Sequence, residues 1–172
     1  MKHVDYIIVG QGLAGSCLAL SLLNEKQSVE VFYSEDKKAS SEVAAGLYNP
    51  ITGKKMLLTW NAEILFPYLE KFYKKAEAEF NSKIIYSKKI FRPFPDIQAQ
   101  TDFWTNHSAR TEPFAAPEMD SPAYEPFINN PFGGIATKQS GYVDVSKFLA
   151  LTKEKLNKLN ALQEDTFDYK GL

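Results

Sequence analysis

Cysteine is almost absent from this chain. Cys17 stands alone, which excludes an internal disulfide framework and a cysteine-built zinc site and suits a reducing cytoplasm. Histidine is nearly as scarce. His3 and His107 are the only two, too few and too far apart to suggest a metal pair or a triad base, and no metal is expected. Net charge is missing as well: 20 Lys and Arg face 21 Asp and Glu, leaving −1. No global field therefore draws nucleic acid or an anionic membrane surface. The lysine pairs at Lys37-Lys38, Lys54-Lys55, Lys74-Lys75 and Lys88-Lys89 are scattered, not gathered into a phosphate-tracking stripe. No uninterrupted apolar run reaches membrane length, since Gln11, Ser16, Ser21 and three glycines break Tyr6 to Leu23, and no small-residue cleavage site follows. Repeats and low-complexity tracts are also absent. The expectation is a soluble, cytoplasmic protein with no direct nucleic-acid or membrane partner.

What is present is enough apolar material for a core. With 172 residues, 44% of them hydrophobic, one compact unit is the default. Asp5 to Val9 is a short β-branched run suited to a parallel strand, and Leu13 to Leu23 reads as a helix packed deeply on a sheet. Val29 to Tyr33 alternates as a second strand, joined to the first by a right-handed crossover. Glu35 to Gly53 reads as loop. A helix is expected over Ile64, Leu65, Tyr68, Leu69, Phe72, Tyr73, Ala76 and Phe80, with Pro67 kinking it or marking a restart; core packing accounts for its aromatics. Short strands are expected at Lys83 to Tyr86 and Lys89 to Arg92, followed by proline-rich irregular connections around a small second sheet, with Gly133-Gly134 leading into Ile135. Asp144 is placed to cap a helix bearing Val145, Phe148, Leu149, Thr152, Leu156 and Leu159 on one side. Ala161 to Tyr169 is a candidate return strand.

The turn Gly10-Gln11-Gly12-Leu13-Ala14-Gly15 carries chemistry. A pyrophosphate is best held by main-chain amides at the positive end of a helix, where side chains would only obstruct it. Gly10 permits the tight turn, Gly12 lets backbone approach phosphate, and Gly15 lets the helix close on the sheet. The spacing alone is weak, but here it follows a strand, opens a helix and precedes a second strand, as the dinucleotide-binding motif requires. Tyr33, followed by Ser34, stands where an acid usually accepts the adenosine ribose hydroxyls. Its phenol lacks a carboxylate's paired acceptors. Glu35 or Asp36 could reach in from the loop, with solvated surface acids as the other reading. No arginine follows the strand to favour a phosphorylated ribose.

With the glycine turn and the segment Val43-Ala44-Ala45-Gly46-Leu47-Tyr48-Asn49-Pro50-Ile51-Thr52-Gly53 in view, the chain resembles the D-amino-acid-oxidase-type family of FAD-dependent oxidoreductases. Glycine oxidase and sarcosine oxidase belong to that family. The resemblance implies FAD as cofactor and a small-residue segment, here Ser40, Ser41, Ala44, Ala45 and Gly46, passing beside the pyrophosphate and flavin ring. Gly141-Tyr142-Val143-Asp144 is similar to the family's start of a helix that returns the chain to the FAD domain. Family members run to about twice this length, so the chain resembles an N-terminal half.

The expected fold class is α/β, a Rossmann-like FAD-binding βαβ unit with part of an α+β substrate domain, incomplete relative to the family. Residues 1–83 would form the FAD-binding part, 84–140 a partial substrate or cap region, and 141–172 the returning helix and strand. The implied activity is oxidation of an amine or amino acid at a CH–NH group, with the flavin performing the chemistry. No catalytic residue is assigned. Arg92 is a candidate anion-binding side chain, with a structural or surface role as its other reading. Expected partners are a small-molecule amine or amino acid and, given the length, a completing chain or a second copy. Two alternatives stay open: a non-catalytic remnant or interaction module with an exposed sheet edge, and an NAD-binding oxidoreductase using the same turn.

Overall fold

The computed structural model describes residues 3–34, 40–106, 109–118 and 127–168. Glu35, Asp36, His107 and Tyr169 lie outside the described residues. The strands are β1 (Tyr6–Val9), β2 (Val29–Tyr33), β3 (Leu47–Tyr48), β4 (Ile51–Thr52), β5 (Leu57–Leu58), β6 (Ile85–Ser87), β7 (Phe91–Pro93), β8 (Ala115–Glu118), β9 (Gly134–Thr137), β10 (Gly141–Val143) and β11 (Leu162–Glu164). The helices are α1 (Leu13–Asn24), α2 (Ala62–Phe80), α3 (Ile97–Asn106) and α4 (Val145–Lys158). Two compact units divide the chain: Met1–Gly46 with Asp144–Leu172, and Leu47–Val143. Residues 47–83, assigned on sequence to the FAD-binding part, fall in the second unit.

The first unit is a parallel sheet in the order β1-β2-β11. Tyr6 to Val9 run beside Val29 to Phe32, and Leu162, Gln163 and Glu164 run beside Val31, Phe32 and Tyr33. Parallel neighbours need crossovers, and α1 and α4 supply the helices for them. Ile8, Ala19, Val29, Val31, Leu156 and Ala161 share one buried cluster, so both helices cover the same face. At the outer end, Asp5 accepts hydrogen bonds from the Ser28 amide (2.8 Å) and hydroxyl (2.6 Å), which tie the start of β1 to β2. The Ser28 hydroxyl and amide hold the Asp5 carboxyl below its ordinary value. On the opposite face Ile7 and Val9 are 47% and 48% exposed. Leu18 of α1 is exposed too, so this helix buries a narrower stripe than its nearly uniform apolar sequence suggests.

The Asp144 cap is present: its Oδ1 accepts the Lys147 amide at 3.0 Å. Val145, Phe148, Leu149, Thr152 and Leu156 are buried as the periodicity predicts. Leu159 is not; it sits at the C-cap, where the helix has ended, and is exposed.

The second unit packs small antiparallel sheets, β3-β10-β6, β4-β5 and β7-β9-β8, around an aromatic core. Ile51, Met56, Ala62, Phe66, Phe94, Phe103, Phe114 and Ile135 are buried together. Phe66 meets Phe114 and Phe94 meets Phe103 at ring-centroid distances of 6.2 and 5.6 Å. Helix α2 runs through Pro67 without a restart. Its core side is Ala62, Phe66, Tyr73 and Ala76, while Ile64, Leu65 and Tyr68 are exposed, so core packing accounts for only some of the apolar residues first grouped on this helix.

Two expectations of irregular structure need correction. The loop read over 35–53 contains β3 and β4, strands of two residues, too short to show alternation. The proline-rich stretch contains α3 and β8. Helix α3 buries only Phe103, so it has almost no apolar stripe to read; its start is set by Asp96, whose Oδ1 accepts the Ala99 amide at 2.7 Å.

From the last turn of α2, Glu77 closes the connection to β6. Its Oε1 accepts the Ile84 and Ile85 amides at 2.7 and 2.9 Å, and Lys83 donates to the same carboxylate. Burial pushes this carboxyl up, but the two amides and Lys83 outweigh it and hold it below its ordinary value of 4.5. A depressed folded-state value contributes stability that is complete above the unfolded value and is lost as pH falls through the folded one. Glu77→Gln should therefore lower the melting temperature near neutrality and flatten its fall between about pH 5 and pH 3, measured by thermal melts against the parent chain.

Candidate functional site

The site is built on the C-terminal edge of the parallel sheet in the first unit. At the end of β1 the Gly10 amide donates to the Phe32 carbonyl at 2.7 Å, and Gly10 turns the chain with φ +104°, a conformation that glycine adopts readily and other residues rarely do. A Cβ built on Gly10 would meet nothing within 4 Å. Open space therefore lies beside this turn. Gly12 is the N-cap of α1 and offers no side chain to the helix. The Ser16 amide makes the first bond of the helical ladder, to the Gly12 carbonyl at 2.9 Å, so the amides of Leu13, Ala14 and Gly15 precede it.

Gly15 is needed for a different reason. A Cβ there would strike the carbonyl oxygen of Gly10 and come within 3.3 Å of Ile8 Cγ2, so only a residue without a side chain lets α1 rest on the strand it follows. Gln11 is held by its own network. Its Nε2 donates to Ser16 Oγ at 3.2 Å and to the Leu149 carbonyl of α4 at 3.0 Å, tying the turn to the second helix.

The small-residue segment comes to the same helix end. Ser40 to Val43 form one turn of 3-10 helix that packs against α4, and Ser41 Oγ accepts the Leu13 amide at 3.1 Å. One of the amides at the start of α1 is thus satisfied by a hydroxyl from this segment. Ala44 and Ala45 are exposed, and Gly46 ends the unit. Residues 10–15 and Ser41 are therefore assembled at one point.

Tyr33 ends β2 one residue beyond Phe32, and Ser34 follows, half-buried. The Tyr33 hydroxyl donates to Glu164 Oε2 at 2.9 Å, and Lys153 Nζ lies 4.2 Å from its ring centroid. Sequence reasoning missed both partners. A return strand was expected over 161–169, but its pairing beside β2 carries no local signature.

Arg92 takes its structural reading. Its guanidinium donates to the Ile51 and Gly53 carbonyls, both at 2.7 Å, and burial pushes it below its ordinary value. The planar fork is spent on the β4 turn. The second unit also holds an open cleft of about 1030 Å³, lined in part by Lys54, Lys55, Trp60 and Arg110. Arg110 there donates to Glu63 at 2.6 Å. No helix among the described residues is long and apolar enough to cross a membrane.

Gly15→Ala should destabilise the first unit by about 1–3 kcal/mol, because the added methyl meets backbone that cannot rotate aside. A lowered urea midpoint with an unchanged slope would show it; an unchanged midpoint would mean that α1 does not depend on this contact.

No protein-family model matches the chain. Solved structures do. Glycine oxidase from Bacillus cereus superposes with a TM-score of 0.65 at 18% identity, over 96% of this chain and 49% of that one. Glycine oxidase from Geobacillus kaustophilus gives 0.68 at 17%, over 96% and 48%. L-amino acid deaminase from Proteus vulgaris gives 0.67 at 15%, over 95% and 40%. The chain therefore has the α/β fold of these amino-acid oxidases and deaminases, as the resemblance read from its sequence implied, and spans about half their length or less.

Proposed function

We propose that the chain is the FAD-binding portion of an FAD-dependent amine or amino-acid oxidoreductase, and that residues 10–15, Tyr33, Ser34, Ser40, Ser41, Ala44, Ala45 and Gly46 form its cofactor site. The observation that carries this reading is the start of α1. Amides of the first turn stand beside open space at Gly10, where a doubly charged pyrophosphate gains hydrogen bonds and the positive end of the helix together. The likeness in fold to glycine oxidases supports it.

When bound, the flavin supplies the electron-accepting chemistry for a carbon bearing an amine. What this chain contributes is placement. Gly10 and Gly12 let backbone donors approach the phosphates, Gly15 fixes the angle at which α1 presents them, and Ser41 adds a hydroxyl to the same cradle. Gln11 holds the turn to α4, so the donors are preorganised and need not be ordered on binding.

Titration of the purified chain with FAD should quench flavin fluorescence and raise the melting temperature. At a hundredfold excess over Kd the stabilisation is about 2.7 kcal/mol. NADH should produce no comparable shift. A melting temperature indifferent to FAD would defeat the proposal, and a shift with NADH alone would replace it with the nicotinamide reading.

A second reading, an interaction module, is favoured by one observation. The sheet carries exposed Ile7 and Val9 on the face opposite its helices, and β1 has an edge unpaired among the described residues. Such an edge templates association. Sedimentation should then show concentration-dependent self-association that Ile7→Lys weakens; a chain that stays monomeric at high concentration contradicts this reading.

A further inference from the structure

We propose that Glu164 supplies the carboxylate for the adenosine ribose hydroxyls, from β11 instead of β2, with the Tyr33 phenol oxygen beside it as the second acceptor. The inference rests on the dinucleotide reading above and names a residue that the glycine motif does not contain.

A ribose diol presents two hydroxyl donors, and the end of the second strand normally meets them with the paired oxygens of an acid. Tyr33 at that place offers one oxygen. The register of the sheet brings a second group to it: Glu164 is the Cα partner of Tyr33 across the parallel β2-β11 pair. Partnered residues of parallel strands project to the same face, and adjacent strands lie about 4.8 Å apart. The carboxylate is thus moved sideways by one strand, within reach of a sugar lying along the sheet edge.

A hydrogen bond makes the two side chains one unit. The Tyr33 hydroxyl donates to Glu164 Oε2 at 2.9 Å, which leaves the phenol oxygen and Glu164 Oε1 as acceptors, the pair that two ribose hydroxyls require. Lys153 Nζ lies over the Tyr33 ring and helps fix its orientation. Glu164 is exposed and Tyr33 half-buried, so a ligand can reach both. The location also agrees with the pyrophosphate cradle. Tyr33 follows Phe32, whose carbonyl receives the Gly10 amide, so the acceptors and the helix amides share one sheet edge. The carboxylate also opposes a ribose phosphorylated at the 2′ position, despite the cation of Lys153 nearby.

The test uses the full chain with FAD, and with ADP, 2′-deoxy-ADP and adenosine 2′,5′-bisphosphate as competitors against FAD. The parent chain should bind FAD, prefer ADP to 2′-deoxy-ADP by about tenfold, and disfavour the bisphosphate. Glu164→Gln should weaken FAD by about tenfold and lose most of the ribose preference, with an unchanged melting temperature for the free chain. Tyr33→Phe, which keeps the carboxylate but removes the phenol acceptor, should give a smaller loss of the same kind. A parent chain that binds neither FAD nor ADP overturns the dinucleotide reading and this inference together. FAD binding with an undiminished ribose preference in Glu164→Gln overturns the inference alone. Tighter binding of the bisphosphate would assign the pocket's charge to Lys153 and also overturn it.

Discussion

The first unit depends on one close approach, the backbone of Gly15 against the carbonyl of Gly10. It is a steric condition before it is an energetic one. Because no side chain intervenes at Gly15, α1 can settle on β1 and bury Ala19 with Ile8, Val29 and Val31. That contact fixes where α1 begins, and so where its first amides point. Ser41 and Gln11 then reinforce the same corner from different segments, one by accepting the Leu13 amide and the other by reaching the Leu149 carbonyl. Packing and the placement of the first-turn amides are thus linked through a single residue type at a single position, which is why the glycine spacing bears on architecture and on the proposed chemistry at once.

A different economy governs the second unit. Its strands run from two to four residues, so ladders are short and many backbone groups must find partners elsewhere. Long polar side chains provide them. Arg92 satisfies the Ile51 and Gly53 carbonyls, and Glu77 satisfies the Ile84 and Ile85 amides. Buried backbone left unpaired would cost about as much as a lost hydrogen bond each time. Thr137 and Ser140 do similar work near β9, where their hydroxyls lie 2.7 Å apart and reach the Ile90 and Lys88 carbonyls. Arg92, a candidate anion-binding side chain on sequence, here closes a turn.

How far the sequence could be read follows from the range of each interaction. The strand, glycine turn, helix and second strand over Tyr6 to Tyr33 are local patterns, and they stand where periodicity and spacing put them. The Asp144 cap is local too. Helix α3 was missed because it buries only Phe103, leaving no stripe, and its capping Asp96 lay within a proline-rich stretch that reads as loop. Arg92 was ambiguous because its acceptors are carbonyls some 41 and 39 residues away. Leu159 followed the periodicity of α4 but lay past its last turn.

The Tyr33 position shows the limit most clearly. Read along the chain, a tyrosine in place of an acid weakens the ribose site, because only neighbours in sequence can be considered as substitutes. Glu164 is separated from it by 131 residues, and nothing in the local sequence of either residue announces the other. Their meeting is a product of strand order: α4 returns the chain on the same face as α1, and β11 therefore lands beside β2 and not beside β1. A right-handed crossover permits little else. The same rule that places α1 thus also brings a carboxylate to the end of β2, where Tyr33 stands in place of the motif's acid.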